Sequence, residues 1–98
     1  MTGKHSHLNG VRSLNEDINA SQDNVAKEFQ KNGYETAIIG KWHLGNTKSE
    51  LPQGFDYWNI FPCHGTYNDT VMIDNGTEVQ YHGYVTETLT DLTLDWLD

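Results

Sequence analysis

Cysteine, positive charge and long apolar runs are all scarce in these 98 residues. A single cysteine, Cys63, cannot close an internal disulfide, so it carries no message about redox compartment. No apolar run reaches 18 residues, which excludes a membrane-spanning helix from the reading. The first residues hold no apolar signal region, so localisation stays open. All six basic residues (Lys4, Arg12, Lys27, Lys31, Lys41 and Lys48) precede residue 49, and nine acids with no Lys or Arg follow. The net charge of −8 disfavours a nucleic-acid or polyanion partner through the overall field. A single lysine in a glycine-rich loop can still form a local anion site.

What is present suits one small domain with a modest core, since 36% hydrophobic and 11% aromatic residues argue against wholesale disorder. There is no internal repeat and no low-complexity tract. Residues 1–15 are polar and glycine-punctuated, and read as a loop with a turn of helix. Ser21 is placed to cap the next helix, with Asp23 in its first turn. Val25, Ala26 and Phe29 share a face of that helix, Lys27 and Lys31 point away, and Gly33 takes the C′ position. A strand follows over Glu35–Ile39, and a polar loop broken by Pro52 covers residues 46–53. Phe55, Tyr57, Trp58, Ile60 and Phe61 form an aromatic cluster around a short strand. Thr70 to Tyr81 reads as a hairpin: Val71 and Ile73 precede Asn75-Gly76, and Val79 and Tyr81 follow it. A last helix runs from about Glu87 to Leu97, capped by Thr86, with Leu89, Leu92, Trp96 and Leu97 on one buried face. Both ends read as cut, because two apolar helix faces and a hairpin need partners that 98 residues scarcely supply.

The chain is organised around Gly33-Tyr34-Glu35-Thr36-Ala37-Ile38-Ile39-Gly40-Lys41-Trp42-His43-Leu44-Gly45. It reads as a buried strand that enters a loop bracketed by Gly40 and Gly45 and carrying Lys41 and His43. In open α/β sheets, ligands sit beyond the carboxyl ends of strands. A lysine there is a suitable point charge for a tetrahedral anion, and a histidine two residues on can move protons near neutral pH. Trp42 reads as a packing residue that orients the loop.

This stretch resembles the second signature of the type I sulfatases, a helix, Gly-Tyr and a strand followed by Gly-Lys-Trp-His-Leu-Gly. Flanking segments resemble the family in the same order: Thr2-Gly3-Lys4 with His7 to Val11, Pro52 to Trp58, and Gly83 to Thr86 with Thr90 to Leu97. The resemblance implies a partial alkaline-phosphatase-like α/β fold. Residues 1–98 would be part of a sulfatase catalytic domain, truncated at both ends. It further implies a sulfuric ester hydrolase acting on a small-molecule or glycan sulfate ester, with calcium and a formylglycine nucleophile. In that family one hydroxyl of the formylglycine hydrate would attack sulfur as the alcohol leaves. The other hydroxyl would then be deprotonated and sulfate expelled. Lys41 would bind sulfate and the formylglycine oxygen, and His43 would assist sulfate elimination.

The chain departs from the family pattern at several points. The Cys-x-Pro-Ser-Arg run that yields formylglycine is absent, and Cys63-His64-Gly65-Thr66 lacks its Pro and Arg. The acidic pairs of the family's calcium site have no counterpart. Asp56, Asp69 and Asp74 match no metal motif and read as turn acids, so no metal ligand is assigned. His5, His7, His43, His64 and His82 fit no zinc spacing. Three Asn-x-Ser/Thr triplets begin at Asn19, Asn68 and Asn75 and matter only in a secreted eukaryotic protein. These departures leave two alternatives: a non-catalytic anion- or glycan-binding remnant, or a phosphatase or phosphonate hydrolase of the same superfamily.

Overall fold

The computed structural model describes residues 1–45 and 51–98, so residues 46–50 of the expected polar loop lie outside it. The described chain forms two compact units. One comprises Met1–Ala37 and His43–Tyr57, the other Ile38–Trp42 and Trp58–Asp98.

In the first unit, the expected early turn of helix is α1, Ser6–Asn9, ended by Gly10 at φ 89°. The main helix, α2, is Val25–Lys31. Its cap is Asn24 rather than Ser21: the Asn24 side chain accepts the Lys27 N–H at 3.1 Å. Ser21 is engaged earlier, its N–H and hydroxyl both meeting Asn19 Oδ1 at 3.0 and 2.6 Å. Asp23 therefore lies before the helix. At the other end Gly33 takes the expected C′ position with φ 81°. Its N–H donates to the Gln30 carbonyl at 3.0 Å and that of Tyr34 to Phe29 at 3.1 Å, the paired bonds of a Schellman motif.

The face expected of α2 is only partly buried. Ala26 is inside, whereas Val25 and Phe29 are about half exposed, Phe29 meeting the Tyr34 ring edge-on at 5.2 Å. Lys27 does not point away. Its ammonium donates to the carbonyls of Ala20 at 2.7 Å and Gln22 at 2.8 Å, which fastens the incoming loop to the helix. Gly54 packs so closely that an added Cβ would stand 2.6 Å from Lys27 Cγ and 2.8 Å from its backbone nitrogen. Beside it the Asn24 amide donates to the Gln53 carbonyl at 3.0 Å.

The sheet has four strands: β1 (Ala37–Trp42), β2 (Tyr57–Pro62), β3 (Val71–Asp74) and β4 (Thr77–Gln80), in the order β1-β2-β3-β4. β2 pairs antiparallel with β3, and β3 with β4. β1 starts two residues later than expected and continues through Gly40, Lys41 and Trp42. The sequence places Gly40 at the start of a loop, whereas its φ of 131° carries the strand on, and its bare α-carbon faces Leu89. The hairpin stands where Asn75-Gly76 put it, both residues at positive φ (44° and 97°), as a type I′ turn requires. Its buried face carries Met72, which is fully buried opposite Val79, and Val71 is exposed. Asn75 also fastens the turn to β2, donating its N–H to the Trp58 carbonyl at 2.8 Å and accepting the Trp58 N–H at 2.9 Å.

The last helix, α3, spans Val85–Leu97. Its N-cap is Tyr84, not Thr86, and Val85 begins the buried side. Phe61, Met72 and Val85 form the core of this unit, with Tyr81, Leu89 and Leu92 packed against them. Leu97, expected on that face, is exposed. Among the described residues no helix is long and apolar enough to cross a membrane.

Candidate functional site

Neighbouring residues of a strand face opposite ways, and the end of β1 uses this. Trp42 is 4% exposed and packs inward, as expected of it, while Lys41 is turned out to solvent. Lys41 thus stands on the last turn of the pleat rather than in a loop. β2 ends beside it: the Cys63 N–H donates to the Trp42 carbonyl at 3.1 Å. From there the chain turns sharply, with Cys63 at φ 54° and Gly65 at φ 62°. The turn delivers His64 to Lys41, whose Nζ lies 3.4 Å from His64 Nδ1.

Lys41 and His64 stand on a cavity of ≈ 320 Å³ whose other walls include Phe61, Thr66, Tyr67 and Val85. An ammonium has three hydrogens and no lone pair. One directed at His64 leaves two for an anion entering this cavity. The arrangement can hold a negatively charged group against an aromatic wall.

His43, the other predicted site residue, is half-buried in the first unit. The residue after it is anchored there, the Leu44 carbonyl accepting the Ile18 N–H at 2.8 Å. The histidine the structure brings to Lys41 is His64, which sequence reasoning weighed only as a zinc ligand. The available signal was its position: a histidine with a following glycine just beyond an aromatic strand.

Two of the three acids considered as metal ligands, Asp56 and Asp69, have structural partners. Asp56 Oδ2 accepts the Thr36 N–H at 2.8 Å and lies 3.1 Å from the Thr36 hydroxyl, and its Oδ1 accepts from Gln30 at 2.9 Å. The bond from the Thr36 backbone, then that from Gln30, holds this carboxyl below the ordinary aspartate value. Asp69 Oδ1 accepts the Gly83 N–H at 2.9 Å, with His82 Nδ1 at 3.5 Å. Among the described residues no three His, Cys, Asp or Glu gather in a way that could hold a metal ion. Cys63 is exposed and free of any disulfide.

A family profile described as Sulfatase matches residues 1–98. The N-acetylglucosamine-6-O-sulfatase of Bacteroides thetaiotaomicron is 38% identical over 101 residues, covering all of this chain and 17% of that protein. An ulvan-active sulfatase of Formosa agariphila is 36% identical over 90 residues, covering 85% of this chain and 18% of its own length. A solved structure of a protein in complex with its substrate D-glucosamine-2-N,6-O-disulfate superposes with a TM-score of 0.91 at 38% identity. That match covers 99% of this chain and 19% of the other. The chain thus spans less than a fifth of the length of these relatives. Within that span the chain has the alkaline-phosphatase-like fold, and it belongs to the sulfatase family.

Proposed function

We propose that these residues serve the hydrolysis of sulfate esters, with Lys41 as the cation that binds the sulfate group. The observation that carries this reading is the exposed ammonium of Lys41 at the end of β1, at the wall of a cavity, in a chain of this family. A sulfate ester carries one negative charge, and more gathers on its oxygens and on the leaving oxygen as the S–O bond breaks. A fixed cation stabilises that developing charge more than it stabilises the ground state. His43 takes the proton-transfer role, since a neutral imidazole offers one nitrogen that accepts a proton and one that donates.

Calcium and formylglycine, which the family implies, do not fit the described residues. The oxygens of Asp56 are engaged by Thr36 and Gln30, and Cys63 lies in a Cys-His-Gly-Thr setting. Both groups would have to come from outside the described residues, and they are assigned no ligand here. The ester is a small-molecule or glycan sulfate. The relative that acts on N-acetylglucosamine 6-sulfate and the structure holding a disulfated glucosamine favour an amino-sugar sulfate.

The test is Lys41→Ala. Titration with inorganic sulfate is expected to show saturable binding by the wild type and none by the variant. In the active enzyme, aryl-sulfate turnover should fall about 10²–10³-fold, the usual consequence of removing one charge-stabilising donor. Near-wild-type turnover in Lys41→Ala would overturn the assignment. Sulfate binding with no turnover in any form of the enzyme would favour an anion-binding role instead.

A further inference from the structure

We infer that His64 is a positioning residue for Lys41: its Nδ1 accepts from the ammonium and holds it at the cavity. The inference rests on Lys41 being the sulfate-binding cation. Three observations in the same unit carry it. The Lys41 Nζ to His64 Nδ1 distance is 3.4 Å, and because an ammonium can only donate, Nδ1 must be the acceptor. The loop that presents His64 is fixed just before it, where the Cys63 N–H meets the Trp42 carbonyl at 3.1 Å, one residue beyond Lys41 on β1. It is fixed just after it as well. Gly65 lies so close to the Phe61 ring that an added Cβ would stand 2.5 Å from Cδ2, and its φ is 62°.

The physical need is plain. A lysine side chain has four rotatable bonds, and an exposed one samples many rotamers. Confining it before the anion arrives removes part of the entropic cost of binding. A neutral imidazole suits this task better than a carboxylate, which would cancel the charge the sulfate is meant to meet. With one hydrogen on His64, the ammonium keeps two for the anion. The proton of the neutral ring is then on Nε2.

Two measurements test this, and the first does not depend on the chain's activity. Long-range ¹H–¹⁵N correlation spectra of the chain in mildly alkaline solution, assigned with His64→Ala, report the tautomer. The inference expects His64 protonated on Nε2 with a bare Nδ1; protonation on Nδ1 would overturn it. The second compares inorganic sulfate binding by His64→Ala and His64→Asn, whose amide oxygen falls near the place of Nδ1. His64 is exposed, and circular dichroism should show both variants folded. His64→Ala is expected to weaken binding about three- to tenfold, as for loss of the net contribution of one typical hydrogen bond. His64→Asn should restore most of it. Equal affinity of wild type and His64→Ala, or no rescue by Asn, would overturn the positioning role. Should the wild type fail to bind sulfate, the proposed function falls, and the tautomer alone decides the Lys41–His64 contact.

Discussion

The two units of the chain are held together by different means. The second has an apolar centre of Phe61, Met72 and Val85, with Leu89 and Leu92 of α3 and Tyr81 laid against it. Among the described residues the first buries only the small apolar side chains of Ala20, Ala26 and Pro52, and leaves Tyr34, Leu8 and Leu14 largely exposed and Phe29 about half exposed. Its order comes from directed polar ties: Lys27 to two carbonyls, Asn24 to both Lys27 and Gln53, and Asp56 to Thr36 and Gln30. Burial acts without direction and roughly in proportion to area. A hydrogen bond contributes little net stability when made, but costs more when one partner is removed. The second unit should therefore yield to changes of volume, and the first to the loss of single polar atoms.

The largest effect is expected in the apolar unit. Met72 has 0% exposure, so Met72→Ala should leave a cavity and destabilise by about 2–5 kcal/mol. Urea denaturation measures this, and hydrogen exchange should show protection lost first in residues 58–98. Next comes a small-to-large change in the polar unit. Gly54→Ala places a methyl against the Lys27 backbone at φ 87°, for a cost of about 2–3 kcal/mol. Here protection should fail first around α2. If both variants lost protection over the same residues, the contrast between the units would not hold.

Much of this was legible in the sequence, and the misses share a cause. The hairpin was plain because Asn75-Gly76 is a local signal with one good solution, and Gly33 marked the end of α2 in the same way. The start of α2 was misplaced because Asn19, Ser21 and Asn24 all offer side-chain oxygens, and only tertiary context decides which one caps. Lys27 read as a solvated lysine, since nothing local announces that two carbonyls of an incoming loop will converge on it. β1 was cut short at Gly40 because glycine usually ends a strand. Here it carries the strand on at φ 131°, facing Leu89, a residue 49 positions away that no local pattern could bring to it. At the site Lys41 was found from its segment alone. His64 was not, because its partner is 23 residues distant.

A smaller effect is expected at the cap. Asn24→Ala removes the acceptor for the Lys27 N–H and the donor to Gln53, and should lower stability by about 1–2 kcal/mol. Asn24→Asp keeps the acceptor and should recover most of that. The comparison sharpens if the aspartate restores α2 protection in hydrogen exchange while alanine does not.

The last effect is a pH dependence confined to the polar unit. Asp56 is held below its ordinary value of 3.8, first by the Thr36 N–H and then by Gln30. A carboxyl with a depressed folded value contributes stability that is fully present above its unfolded value and disappears as pH falls through the folded one. Acidification from neutrality should leave this contribution intact until about pH 5, where aspartate in an unfolded chain begins to protonate. Below that, the tie from Asp56 to Thr36 should weaken. Asp56→Asn removes the titrating group, so its stability should be flatter over the acid range than that of the wild type. Comparing urea midpoints of the two proteins from pH 6 down to about pH 3 reads the difference. Because the carboxyl is exposed and screened by solvent, the difference should be the smallest of the series. It should also be reported by amides near Thr36 and not by those of the Met72 core, which has no such group to titrate. Parallel acid sensitivity in the two proteins would mean that the carboxylate does not hold this unit together.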